Sequence, residues 1–158
     1  MQRTGSDKHP CVATTVRKAN RALTRLYESA LAQHGLSLAQ YSLLDTLARA
    51  KELPLARLAE RELLDRSSLT RAMVPLERDG LVEVTDGPGR SRVARLTDEG
   101  TARIKAARKS WAVTQGAMVD RIGLANWQAL APWLGRISVD ADLIAEVPLE
   151  LRLKREIV

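Results

Sequence analysis

From Val12 onward the apolar residues fall at Val12, Val16, Ala19, Leu23, Leu26 and Ala30, spaced alternately by four and three. Such a narrow stripe is what one helix presents to another, and it is too thin for the broad buried face of a globular helix. The pattern returns toward the other end of the chain. Ile104, Ala107, Trp111, Met118 and Ile122 form a second thin stripe, and Trp127, Leu130, Leu134 and Ile137 a third. Long helices of this kind on both flanks find no partner in one small core. Left open, their stripes would aggregate, so the pattern predicts that they pack against a second copy, as a homodimer.

The middle of the chain reads differently. Gly35 stops the first helix, and Ser37 with Gln40 forms a capping box for a second that carries Leu43, Leu44, Leu47 and Ala48. Pro54 suits the first position of a short third helix with Leu55, Leu58 and Ala59. Asp65 caps a fourth, whose inward set is Leu69, Ala72, Met73 and Leu76 and which Gly80 ends. Two β-compatible runs follow, Leu81–Thr85 and Arg90–Leu96, around the turn Asp86-Gly87-Pro88-Gly89. Thr97-Asp98-Glu99 then opens the long helix, its acids placed against the positive end of the dipole. Gly123 separates that helix from the last, which contains Pro132, and residues beyond Ser138 read as a flexible or swapped tail.

The expected fold is therefore mainly α with a small β-hairpin wing: a winged helix-turn-helix between N- and C-terminal dimerisation helices. The boundaries are 1–35 for the N-terminal arm and helix, 36–97 for the winged lobe, 98–138 for the C-terminal helices and 139–158 for the tail. Aromatic residues make up only 3% and Phe is absent, so aliphatic residues must fill the core. No apolar run is long enough to span a bilayer, and no membrane partner is expected. The single cysteine, Cys11, and an opening ten residues without an apolar stretch favour a cytoplasmic protein.

The net charge of +6 suggests a polyanionic partner, but its distribution is uneven. Residues 51–100 sum to −1, so the argument must rest on where individual arginines sit. In a winged helix-turn-helix the fourth helix enters the major groove. Its inward residues leave Ser67, Thr70, Arg71, Val74 and Arg78 facing out. Hydroxyls near a helix N-terminus suit phosphate or base-edge hydrogen bonds, and an Arg fork pairs with guanine. On the residues alone, these serve equally well as capping and solvated groups. Arg90 and Arg92, at the hairpin, suit a narrow minor groove or simply decorate an exposed turn.

The stretch from Leu36 to Gly100 carries three motifs in order. They are Asp65-Arg66-Ser67-Ser68-Leu69-Thr70-Arg71, then Glu77-x-x-Gly80-Leu81-Val82, then Leu96-Thr97-x-x-Gly100. In these it resembles the multiple antibiotic resistance regulator (MarR) family of dimeric winged-helix transcription regulators. The resemblance implies a repressor of a near-palindromic double-stranded DNA operator, released by a small aromatic or anionic effector or by thiol oxidation. It also implies that Ser67, Ser68, Thr70 and Arg71 contact the major groove, Arg66 the backbone and Arg90 the minor groove, with Arg92 beside it. Three departures stand out. Pro88 takes about the place of an Asp that holds the wing arginine, leaving Asp86 as the substitute. Glu62-Leu63 replaces an apolar-Gly pair in the helix-turn-helix turn, and Pro75 falls inside the fourth helix.

For regulation, Tyr27, Tyr41 and Trp111 are the aromatics best placed to line an effector pocket, with core packing as their plain alternative. The run Arg17, Lys18, Arg21 and Arg25 could hold an anion or form a solvated face. Cys11, just ahead of the first helix, is the redox candidate. No catalytic motif is present, and His9 and His34 show no metal-ligand spacing, so neither an enzyme nor a cofactor is expected. A winged-helix scaffold that binds protein and no DNA is the rival, favoured by the −1 block.

Overall fold

A computed structural model describes residues 9–148. Six helices alternate with three short strands: α1 (Val12–Leu31), α2 (Leu38–Ala50), β1 (Glu52–Pro54), α3 (Leu55–Glu62), α4 (Arg66–Arg78), β2 (Val82–Asp86), β3 (Arg92–Leu96), α5 (Asp98–Ile122) and α6 (Leu124–Glu146). The chain divides into two compact units, with the division between Thr114 and Gln115 inside α5.

The first unit holds the core. Leu31, Leu44, Leu47, Leu58, Leu69, Met73, Leu76, Leu81 and Ile104 are all buried, drawn from α1 through α5. Most of the periodic residues expected on the inner faces of α2, α3 and α4 are buried, with Ala48, Leu55 and Ala72 only partly so, because an i, i+3, i+4 set packs together on one side of a helix. The capping box forms as the sequence predicts. The Ser37 hydroxyl accepts from the Gln40 N–H, and the Gln40 side chain accepts from the Ser37 N–H. Gly35 and Gly80 take left-handed φ values of 65° and 68° after their helices.

Three features differ from the sequence expectation. The wing is not a lone hairpin but the larger part of a three-stranded antiparallel sheet in the order β1-β3-β2. β1 pairs Leu53 with Ala94, burying both. Pro54 accordingly ends this strand at ψ 138° and is not the first residue of α3. An edge strand tolerates its missing N–H. The third difference is that α6 continues through Glu146, so residues 139–146 of the expected tail are helical, while its residues 149–158 lie outside the described residues.

The turn between α3 and α4 explains one departure from the family pattern. Leu63 ends α3 in the left-handed region, at φ 52° and ψ 42°, with its side chain 72% exposed. A branched residue there costs roughly 1–2 kcal/mol that glycine avoids. Leu63→Gly is therefore expected to raise the unfolding free energy by about 1 kcal/mol, read from urea denaturation, because little burial is lost in exchange.

In the second unit, no residue of α6 is buried. Leu130, Trp133, Leu134, Leu143 and Ile144 are exposed. No helix among the described residues is long and apolar enough to cross a membrane.

Candidate nucleic-acid interface

The N-terminus of α4 is ordered by its own side chains. The Asp65 carboxylate accepts from the Ser68 N–H at 2.8 Å, the Ser67 hydroxyl at 2.6 Å and the Ser68 hydroxyl at 2.7 Å. Those three donors, the Ser67 hydroxyl foremost, hold the Asp65 carboxyl far below the usual carboxylate range. With both protons given to Asp65, the serine oxygens turn their lone pairs to Arg71. Its guanidinium donates to Ser67 Oγ at 3.3 Å and Ser68 Oγ at 3.0 Å. The carboxylate thus orients two hydroxyls, and these park one guanidinium on the outer face of the helix.

The acid dependence follows from the sign of the shift. A depressed carboxyl contributes stability that is complete above its unfolded pKa, about 4, and is lost as pH falls below it. The stability gap between the wild type and Asp65→Asn is expected to narrow when urea unfolding is compared at about pH 5 and about pH 3. A gap constant with pH would remove Asp65 from this role.

The remaining predicted residues of α4 fall on the same outer side. Thr70 is exposed and donates its hydroxyl to the Arg66 carbonyl at 2.8 Å. Arg66 is exposed, and its side chain makes no ion pair among the described residues. Val74 is also exposed. Pro75 lies within α4, and having no N–H it leaves the Arg71 carbonyl without its helical donor.

Behind α4, Glu62 has a function that the sequence did not reveal. Its two carboxylate oxygens accept from the Ser42 and Thr46 hydroxyls, each at 2.6 Å, tying the end of α3 to α2. The far end of α4 is fixed by a second device. Thr97 Oγ1 donates to the Gly80 carbonyl at 2.6 Å and accepts from the Gly100 N–H at 3.0 Å. The Thr97 N–H donates to the Leu81 carbonyl at 3.1 Å. Gly100 lies so close to that carbonyl that a Cβ would stand 1.9 Å from the Leu81 oxygen. The Thr-x-x-Gly motif is thus a staple between the end of α4 and the start of α5.

In the wing, Gly87 N–H donates to the Ser91 carbonyl at 2.7 Å, closing the turn that contains Arg90. Arg92 is exposed at the start of β3, and its cross-strand partner is Asp86. The substitute carboxylate therefore stands opposite Arg92. Around this surface part of the negative charge of residues 51–100 is engaged in ion pairs. Arg57 pairs with Glu60 and Arg78 with Asp79, while Arg95 pairs with Glu83 across the sheet. Arg66, Arg71 and Arg92 make no ion pair among the described residues. The charge sum had hidden this separation.

The three aromatic candidates do come together. Trp111 stacks on Tyr41 with ring centroids 5.8 Å apart and lies 6.3 Å from Tyr27 at a tilt of 36°. Both tyrosines are buried. Nearby, Asp45 bonds Arg49 at 2.8 Å and Arg108 at 2.7 Å. Burial raises its pKa, but these two guanidinium groups outweigh that and keep the carboxyl below its ordinary value. Cys11 is exposed at the N-cap of α1, and the N–H and hydroxyl of Thr14 lower its thiol pKa. Among the described residues no group of His, Cys, Asp or Glu could hold a metal ion.

Residues 36–93 match the profile of the MarR family. No curated protein sequence matches the chain significantly. Among solved structures, the transcriptional regulator MosR of M. tuberculosis in complex with DNA is similar at 29% identity and a TM-score of 0.79, over 85% of this chain and 98% of that one. MosR in a second structure gives 29% identity and a TM-score of 0.74, over 84% and 96%. The regulator PcaV of Streptomyces coelicolor, solved in complex with its natural ligand, is similar at 26% identity and a TM-score of 0.74, over 90% and 99%. With its winged lobe, its stapled fourth helix and these likenesses, the chain carries over residues 36–93 a MarR-family winged helix-turn-helix domain, that of transcription regulators such as MosR.

Proposed function

We propose that the protein is a homodimeric repressor that reads a near-palindromic duplex with α4 and the wing and releases it when a small effector binds. The observation that carries this reading is the ordered N-terminus of α4, where Asp65, Ser67 and Ser68 hold Arg71 on an exposed face without an acidic partner. Arg71, Ser67, Ser68 and Thr70 face the base edges in this reading. Arg66 takes a phosphate, and Arg90 and Arg92 flank the minor groove. The relative MosR, solved with DNA, and PcaV, solved with its ligand, support the two halves of the cycle. Each unit has exposed apolar residues for a second copy to cover, Val12, Val16 and Leu26 of α1 in the first and Leu130, Trp133 and Leu134 of α6 in the second.

Selection of duplexes from a random pool tests this directly. Enriched sites are expected to contain two related half-sites about 10 bp apart, retained with a strong salt dependence. Equal retention of scrambled duplexes would overturn the reading. In it, the effector approaches the Tyr27, Tyr41 and Trp111 group, so Trp111 fluorescence should change on release. A thiol-responsive variant of the same cycle rests on the exposed, acidified Cys11. Peroxide would then release DNA from the wild type and not from Cys11→Ser.

A further inference from the structure

The outer face of α4 is short of hydrogen-bond donors. The Ser67 and Ser68 hydroxyls give their protons to Asp65, at 2.6 Å and 2.7 Å, and Thr70 gives its proton to the Arg66 carbonyl at 2.8 Å. Arg78, further along, is paired with Asp79 at 2.8 Å. The helix contains no Asn or Gln, the side chains that take adenine by its N6 and N7 atoms together. Arg71 remains to take a guanine, but no side chain of this face can bond both adenine atoms of an A·T pair.

Two apolar groups stand where the other partner of that pair could be met. Val74 is 56% exposed and lies one turn after Thr70 and three residues after Arg71. Residues three and four apart on a helix are surface neighbours, so these side chains form one patch. With its hydroxyl turned onto the helix backbone, Thr70 has its methyl left for an outside contact. Val74, branched at Cβ, keeps one rotamer in a helix and offers its methyls in a fixed direction. Met73 and Leu76, both buried, supply the core side of this turn, and Val74 is not needed there. A single exposed valine is ordinary on a protein surface. This one stands beside a guanidinium oriented by two serines, on the face proposed to enter the major groove.

We infer that Thr70 and Val74 read the 5-methyl group of a thymine close to the guanine taken by Arg71, which makes Val74 a specificity-determining residue. The thymine methyl is the apolar mark by which the major groove shows an A·T pair from its thymine side. Cβ atoms three residues apart on a helix are about 5–6 Å apart and base pairs follow one another at about 3.4 Å, which puts the thymine within about two base pairs of that guanine. The inference rests on the DNA reading proposed above and deepens it: Arg71 accounts for a G·C pair, and the methyl patch for an A·T pair that α4 has no amide to mark.

Deoxyuridine is the probe, because it lacks only the methyl and keeps every hydrogen-bonding group of thymine. In the selected duplex, the guanine is the position at which Arg71→Ala loses discrimination, and the thymine is the one nearest to it. Changing that thymine to deoxyuridine is expected to weaken binding by the full chain about fourfold for each half-site, the worth of one buried methyl. Val74→Ala should bind the two duplexes nearly alike. Thr70→Ser, which keeps a hydroxyl for the Arg66 carbonyl, should narrow the difference. Because Val74 is exposed and Ala is the better helix former, its variant tests contact and not folding. Cytosine at the same position should bind weakly, and 5-methylcytosine should recover affinity in the wild type but not in Val74→Ala. Equal binding of the thymine and deoxyuridine duplexes by the wild type, an undiminished ratio in either variant, no recovery by 5-methylcytosine, or half-sites without a thymine near that guanine would each overturn the methyl reading and leave the DNA function standing. A chain that selects no duplex overturns both.

Discussion

Adding one methyl group at Gly100 is expected to lower the unfolding free energy by about 3 kcal/mol or more, near the upper end for a single overpacking change. The new Cβ would lie 1.9 Å from the Leu81 oxygen and 2.9 Å from its carbonyl carbon. Both belong to main chain, so no side chain can swing aside to make room. The start of α5 and the end of α4 must move apart, which also breaks the Thr97 bonds to Gly80 and Leu81. The control lies in the same helix. Gly116 has nothing within 4 Å of its added Cβ, and Gly116→Ala should stabilise by roughly 0.5–1 kcal/mol through helix propensity. Thermal and urea unfolding of the two variants should therefore move in opposite directions. If Gly100→Ala unfolds like the wild type, the staple does not hold.

Arg71→Ala is expected to cost about 1–3 kcal/mol of discrimination between cognate and scrambled duplexes, while Arg92→Ala weakens both nearly alike and flattens the salt dependence. The difference follows from their positions. Arg71 is oriented by two hydroxyls whose protons are committed to Asp65, so its fork is presented in a fixed direction. Arg92 lies at the base of the wing turn, opposite Asp86, where it can act as a charge more readily than as a fork. Gel shifts across a salt series separate the two effects. Equal, sequence-blind losses from both variants would remove the base-edge role of Arg71.

Much of this was legible in the sequence because it depends on local rules. The inner face of α4, the Ser37 capping box and the Asp65 cap are set by periodicity and by side chains that reach only three residues away. β1 was not legible. Three residues, Glu-Leu-Pro, are too short a run to establish a period, and only the distant partner Ala94 makes them a strand. The end of α6 was misplaced because its acidic residues, followed by the mixed charges beyond Pro148, read as a solvated tail, and helix formation there does not depend on burial within the chain. At the candidate site, residue identities could be read, but not which charges cancel. The sum over residues 51–100 gives equal weight to Glu83, already engaged by Arg95, and to Arg71, which has no acidic partner. Glu62 stood out only as a departure from a pattern. Its bonds to Ser42 and Thr46 span twenty and sixteen residues, beyond the reach of any local rule.

The proline inside α4 has a mechanical consequence. Because Pro75 withholds a bond from the Arg71 carbonyl, the helix is two segments joined at a compliant point. The C-terminal segment is clamped to the body of the protein by Thr97, and the N-terminal segment bears the side chains proposed to read DNA. A few degrees of rocking at the joint would let one protein accommodate sites of slightly unequal groove width without loosening its core.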